Sequence, residues 1–179
     1  MRRSSLPTSL AAASCPATKA GYNKLVMQVQ IKVGVLVLNK KNKLLLIKEK
    51  LPNTKQAKWN IIKGTYEDNE ETIFEAAVRE CIEEASAKVK LTHALGIYLY
   101  GDEEPRIQFN FLAVAQNDKI ALPNKHHQKL RNEDITEVRW FGKGELAELK
   151  KADYVSKIAY QLIQDWLTTK DKYPLDIYK

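Results

Sequence analysis

The chain has 179 residues and 20.5 kDa, with 44% hydrophobic and 28% charged residues, which suits one domain with one continuous core and excludes a collagen-like, low-complexity or wholly disordered polypeptide. Of the net charge of +7, Arg2, Arg3, Lys19 and Lys24 supply +4 within residues 1–27, which hold no acid, leaving a mildly basic body that speaks against nucleic acid as a partner. No apolar run approaches the roughly 20 residues of a bilayer-spanning helix and two cysteines cannot form a disulfide scaffold, so a cytoplasmic protein with no membrane partner is expected.

Residues 1–27 are rich in Ser, Ala and Thr and lack apolar periodicity, so they read as an N-terminal extension. A basic, acid-free start also suits an organelle transit peptide, and Met27, directly before the first strand, could be the true start of translation. From residue 28 a single domain is expected to run to about 170, followed by a C-terminal tail over 171–179. Val29, Ile31, Val33, Val35 and Val37 alternate at period two, as a half-buried strand requires. Asn39 to Asn42 reads as a hairpin connection to a second strand over 44–47, and residues 48–58 as a polar loop. A short apolar step at 59–62 precedes Lys63 and Gly64, and an acidic loop then leads into a helix over 72–85. Strands over 95–100 and 106–115 flank a second hairpin turn ending in Pro105. Residues 116–134 form a long polar loop, 137–141 a short strand, and 154–169 an amphipathic helix with Ile158, Leu162 and Trp166 at fourfold spacing. Hairpins with separated helices predict a mixed α/β sandwich.

The chemistry concentrates between Gly64 and Ala87, where Glu67, Asp68, Glu70, Glu71, Glu75, Glu80, Glu83 and Glu84 place eight of the 22 acids. Thr72 with Glu75 three residues on is a capping box, so the helix should start there. Phe74, Val78, Cys81 and Ala85 share a narrow arc, expected to be the buried stripe, with Glu80, Glu83 and Glu84 turned away from it. Acids in the last helical turn oppose the dipole, and Glu80 and Glu84 repel at i,i+4. A hard divalent cation would relieve both effects. With no His or Cys ligand beside them, the oxygens point to Mg²⁺ or Mn²⁺.

Gly64, Glu71, Arg79-Glu80-Cys81-Ile82-Glu83-Glu84 and Ser86-Ala87 resemble the Nudix box, G-x5-E-x7-R-E-U-x-E-E-x-G-U with U a bulky aliphatic residue. This chain reads G-x6-E-x7-R-E-C-x-E-E-x-S-A. The extra residue lies in the acidic loop, where it should alter loop shape more than ligand geometry. Ser86 replaces a glycine that would permit a left-handed turn, so another conformation is expected there. An E-x-x-W-F strand ending at Trp140 and Phe141, followed by Gly144-Glu145-Leu146, is also similar to the family.

The resemblance implies an α/β/α sandwich with a mixed sheet, a box loop and helix, and a C-terminal helix. It implies Glu80, Glu83 and Glu84 as metal ligands, Glu83 or Glu84 as the group that activates water, and Arg79 joining loop to helix through Glu71 or Glu83. It also implies a further catalytic carboxylate outside the box, for which Glu133 is chosen over Asp134 and Glu137. Substrate contacts are assigned to Gly64, Lys63 and Trp59, with Lys48, Arg106, His126, His127, Tyr98 and Tyr100 as further candidates. Cys81 and Trp166 are expected in the core. The implied activity is metal-dependent hydrolysis of a pyrophosphate linkage in a nucleoside diphosphate joined to another moiety, by a monomer or homodimer. The alternative is a Nudix-fold module that binds a nucleotide or regulates a partner without hydrolysis.

Overall fold

The computed structural model describes residues 28–178 except 53, 68, 69, 103 and 170. The N-terminal extension, with its possible transit peptide, and Asp68 therefore lie outside the described residues. Seven strands form one mixed sheet: β1 (Gln30–Leu38), β2 (Leu44–Glu49), β3 (Lys58–Asn60), β4 (Ile62–Thr65), β5 (Val89–Tyr100), β6 (Arg106–Ala115) and β7 (Ile135–Phe141). Among the described residues four α-helices accompany them: α1 (Ile73–Ala85), α2 (Lys125–Leu130), α3 (Lys143–Glu148) and α4 (Lys157–Thr168). The main path runs β3-β2-β1-β6-β5, with β4 paired to β1 and β7 to β2. Only β1 and β6 are parallel.

Alternation along the central strands sorts side chains onto two faces. Val33, Val35, Val37, Leu45, Ile47, Phe111 and Ala113 pack toward Ala76, Ala77 and Cys81 of α1. Leu36, Leu44, Leu46 and Leu112 face Ala159, Leu162 and Ile163 of α4 and Leu146 of α3. Helices thus cover both faces, the expected sandwich. Burying each of these aliphatic side chains contributes about 1.5–3 kcal/mol. For this reason β1 is not the half-buried strand its alternation predicts: residues 33–37 are buried without interruption, because helices lie on both sides.

The Asn39 turn forms as expected, with the Asn39 side-chain oxygen accepting from the Lys41 and Lys43 N–H groups at 3.0 Å each. The stretch 116–134 is not all loop. It contains α2, capped by the Asn124 side chain, which accepts from the His126 N–H at 2.8 Å. Helix α4 starts later than expected, at a Ser156 cap that accepts from the Ala159 N–H at 3.1 Å, while Tyr154 turns back to bridge Trp59. Residues 171–178, expected as a tail, dock on the sheet instead. Tyr173 exchanges backbone hydrogen bonds with Ala94, and Tyr178 meets Phe109 and Phe111 edge-on with ring centroids 5.2 and 5.7 Å away. Trp166 is partly buried against the α4 side of the core.

Candidate active site

Helix α1 starts where its sequence directs. The Thr72 hydroxyl accepts from the Glu75 N–H at 3.2 Å, and the Thr72 N–H donates to the Glu75 carboxylate at 2.7 Å. Ala76 and Ala77 carry too little bulk to hold this helix off the sheet, so its second half tucks against β4. Glu80 and Glu84 are consequently only 5% and 3% exposed. This corrects the expectation that they turn away from the buried stripe. A helical wheel gives direction about the helix axis but not what stands there, and on this side stand β4 and the approach to β7. Phe74 and Val78, expected within the stripe, are only partly buried.

Strand β4 shapes the contact. The Lys63 N–H donates to Glu84 Oε2 at 3.0 Å, and a Cβ added to Gly64 would fall 1.8 Å from Glu80 Cδ. Gly64 is therefore set by close approach of backbone to carboxyl, within a strand and in register with Val33, and is not a turn glycine.

One carboxylate oxygen from each of Glu80, Glu84 and Glu133 lies within 4.8 Å of the others. Glu133 arrives from the turn between α2 and β7. Arg131 Nε donates to both of its oxygens at 3.1 Å, and Arg131 Nη2 donates to the Glu83 carbonyl at 3.2 Å. Glu83 stands outside this triad, with Arg79 Nη1 at 3.1 Å and Arg131 Nε at 4.0 Å from its carboxylate. Of the box glutamates, Glu80 and Glu84 thus meet Glu133, while Glu83 lies between the Arg79 and Arg131 guanidinium groups.

Arg79 uses all three nitrogens within the wall of the site. It forms a two-point pair with Glu71, at 3.0 Å from Nε and 2.9 Å from Nη2, and also donates to Glu80 at 2.8 Å, Glu83 at 3.1 Å and the Thr65 carbonyl at 3.1 Å. Both expected partners are engaged. The extra loop residue leaves Glu71 within reach. At the other end of α1, Ser86 is left-handed at φ 52° and ψ 25°, contrary to the expectation of another conformation. Its N–H donates to the Ile82 carbonyl at 2.9 Å, and Ala87 N–H to that of Cys81 at 3.0 Å, so the closed turn outweighs the side-chain penalty.

Burial pushes the Glu80 carboxyl up to about 7 despite the opposing Arg79 charge, and pushes Glu84 well above the usual range, helped by the charges of Glu80 and Glu49. A divalent cation would reverse both shifts, and the donor set of buried carboxylate oxygens fits Mg²⁺ or Mn²⁺. Cys81 beneath them is buried and its thiol is pushed up, which keeps it a core side chain.

Sequence reasoning missed Glu49 and Arg131. Glu49 is nearly buried, accepts from Asn60 Nδ2 at 2.6 Å and lies 3.6 Å from Lys63 Nζ. A signal existed: it falls two residues after Ile47, on the inward face of β2, where a carboxylate needs a partner. Trp59, expected to contact substrate, lies in the core. Its ring packs edge-on to Phe141 at 4.6 Å between centroids, inside the α4 side of the core. The Tyr98 hydroxyl is bonded to Asp165, His126 and His127 are exposed on α2, and Lys48 pairs with Glu137 and covers the Trp59 ring.

A mixed sheet between helices, with a loop and helix bringing clustered glutamates to one face, defines the class of fold that the box implies. The chain belongs to the Nudix hydrolase family: the family model described as NUDIX domain matches residues 29–163. Among solved structures it is similar to a NUDIX hydrolase from Nitrosomonas europaea, with TM-score 0.69 and 24% identity, over 85% of this chain and 97% of that one. It is also similar to an Ap4A hydrolase from C. elegans, with TM-score 0.57 and 19% identity, over 79% of this chain and 97% of that one. A bifunctional NMN adenylyltransferase/ADP ribose pyrophosphatase from Francisella tularensis gives TM-score 0.61 and 19% identity, over 81% of this chain and 43% of that one. At these identities the likeness shows the fold. No curated protein matches the sequence. Among the described residues no helix is long and apolar enough to cross a membrane.

Proposed function

We propose that the chain is a divalent-metal-dependent hydrolase of the pyrophosphate linkage in a nucleoside diphosphate joined to another moiety, acting through a single domain that starts at residue 28 and takes in the docked segment 171–178. The observation that carries this reading is the meeting of Glu80, Glu84 and Glu133, two of them buried, with oxygens close enough to share one cation. The names of the C. elegans and Francisella structures, an Ap4A hydrolase and an ADP ribose pyrophosphatase, support a nucleotide-derived substrate.

In this reading Glu80, Glu84 and Glu133 hold Mg²⁺ or Mn²⁺. When bound, the cation supplies neutralisation of phosphate oxygens and a lowered pKa of water. Glu83, partly open to solvent beside the triad, orients the attacking water and takes its proton, with Glu84 the other candidate for that role. Arg79 and Arg131 hold Glu83 and Glu133 in place. Water adds to one phosphorus as the bridging P–O bond breaks, releasing a nucleoside monophosphate and a phosphorylated second moiety, or pyrophosphate from a triphosphate.

The test is phosphate release, coupled to a phosphatase, over nucleoside triphosphates, ADP-ribose, nucleotide sugars and dinucleoside polyphosphates. Hydrolysis that needs Mg²⁺, stops with EDTA and falls by about 10²-fold or more in Glu84→Gln is expected. A folded protein that hydrolyses none of them, while a nucleotide still raises its Tm, would instead be a non-catalytic binding module.

A further inference from the structure

Gly64 borders a second feature, a cleft of about 270 Å³ lined by Lys32, Lys63, Gly64, Tyr100, Arg106 and Gln108. Its walls are strands. Lys32 on β1 is in register with Thr65 of β4 on one side and Gln108 of β6 on the other, and Tyr100 of β5 pairs with Arg106 of β6. Three cations therefore project from paired backbone, where their positions are fixed.

No carboxylate lines this cleft. Lys32 Nζ donates to Thr65 Oγ1 at 2.5 Å and makes no ion pair among the described residues. Lys63 is 3.6 Å from Glu49, and Arg106 reaches Glu104 at 2.8 Å on the exposed hairpin. Burial lowers the Lys32 pKa, and the charges of Lys63 and Arg106 lower it further, so the cations lie close enough to repel one another. The polar floor has little capacity left over. Tyr100 hydroxyl donates to Gln108 Oε1 at 3.2 Å, Gln108 Nε2 donates to Asn110 Oδ1 at 2.6 Å, and Asn110 Nδ2 donates to the Gly96 carbonyl at 3.3 Å. A neutral sugar needs acceptors for its hydroxyls and finds few here. A phosphate needs donors and positive charge, which is what the cleft offers. The cleft adjoins the triad through Gly64 and Glu80, whose charge also acts on Lys32.

We propose that this cleft binds a substrate phosphate additional to the two joined by the scissile linkage, so that the preferred substrate carries a phosphorylated second moiety or a longer polyphosphate chain. The assignment rests on the hydrolase reading for the word substrate; the cleft's affinity for phosphate is tested separately.

The kinetic test compares diadenosine tetraphosphate, 2′-phospho-ADP-ribose and ADP-ribose with Mg²⁺. At least one phosphate-rich compound is expected to exceed ADP-ribose tenfold in kcat/KM, and which one does so identifies the source of the extra phosphate. Lys32→Gln and Arg106→Gln should each raise its KM at least tenfold more than they raise that for ADP-ribose, with its kcat little changed, and Lys32→Arg should lose less than Lys32→Gln. Equal turnover of all three compounds, or equal losses on all three, overturns the proposal. Calorimetric binding of inorganic tripolyphosphate in EDTA needs no catalysis. Wild-type binding that weakens at least tenfold in the Lys32→Gln/Arg106→Gln double variant is expected even if hydrolysis is absent, and hydrolysis without such binding overturns the cleft assignment alone.

Discussion

The carboxyl carbon of Glu80 lies 1.8 Å from where Gly64 would carry a β-carbon. A strand backbone and a buried acid thus occupy adjoining space that no other residue at position 64 leaves open. Gly64→Ala should force Glu80 out of the triad and cost roughly 1–3 kcal/mol in overpacking. Urea denaturation reads the stability, and Mg²⁺ titration in the same variant should show weakened binding. Unchanged Mg²⁺ affinity would mean that Glu80 is dispensable to the cation.

Ser86 holds a left-handed conformation at φ 52° without glycine's freedom. Ser86→Gly relieves the side-chain penalty but loosens the unfolded chain, for a net gain of about 0.5–1 kcal/mol. Thermal melting should move upward by about 1–4 °C for a domain of this size. A fall in Tm would show that the serine side chain contributes more than its backbone strain removes.

The Arg79–Glu71 pair is two-pronged and shielded by neighbouring carboxylates, unlike the exposed Arg139–Glu145 pair. A double-mutant cycle with Arg79→Ala and Glu71→Ala should give a coupling of about 1–3 kcal/mol, well above that of the exposed pair. Arg79→Lys should recover less than half of it, since an ammonium cannot match the fork. Equal coupling in the two pairs would reduce Arg79 to a surface charge.

Glu80 is raised to about 7 from an unfolded value near 4.5, with Arg79 opposing and Glu83 and Glu133 reinforcing the burial effect. The folded state holds this proton more tightly than the unfolded state. The group's contribution is therefore complete below pH 4.5 and lost as pH rises through about 7. Glu84, raised for the same reason, adds a loss of the same sign. In EDTA, Tm should fall between pH 5 and 8 by the equivalent of up to about 3 kcal/mol, and Glu80→Gln should flatten the slope. Mg²⁺ at a hundredfold excess over its Kd should restore about 2.7 kcal/mol at pH 8 and much less at pH 5, where protons compete. A metal effect independent of pH would place the cation elsewhere.

The parts of this molecule governed by neighbours in sequence were legible before folding. Thr72 and Glu75 marked the start of α1 to the residue, and the strand expected over 106–115 is β6. What depended on a distant segment was not. Nothing near Glu80 announces that β4 will cover it, and nothing near Trp59 announces Phe141 and Tyr154. The six-residue helices α2 and α3 are too short for a period to declare itself. Glu133 was legible only as one acid among three, and its role as neighbour of Glu80 and Glu84 comes from the Arg131 anchor.

Cys81 lies one position along the helix from Glu80, sealed between α1 and the sheet. A reagent in solution can alkylate its sulfur only while the helix is lifted away. With Cys15 replaced by serine, the labelling rate of Cys81 becomes a clock for that opening, ticking at a frequency the native contacts set. The same atom that is chemically silent in the closed protein would report, second by second, how firmly an occupied cation site clamps the helix to its sheet.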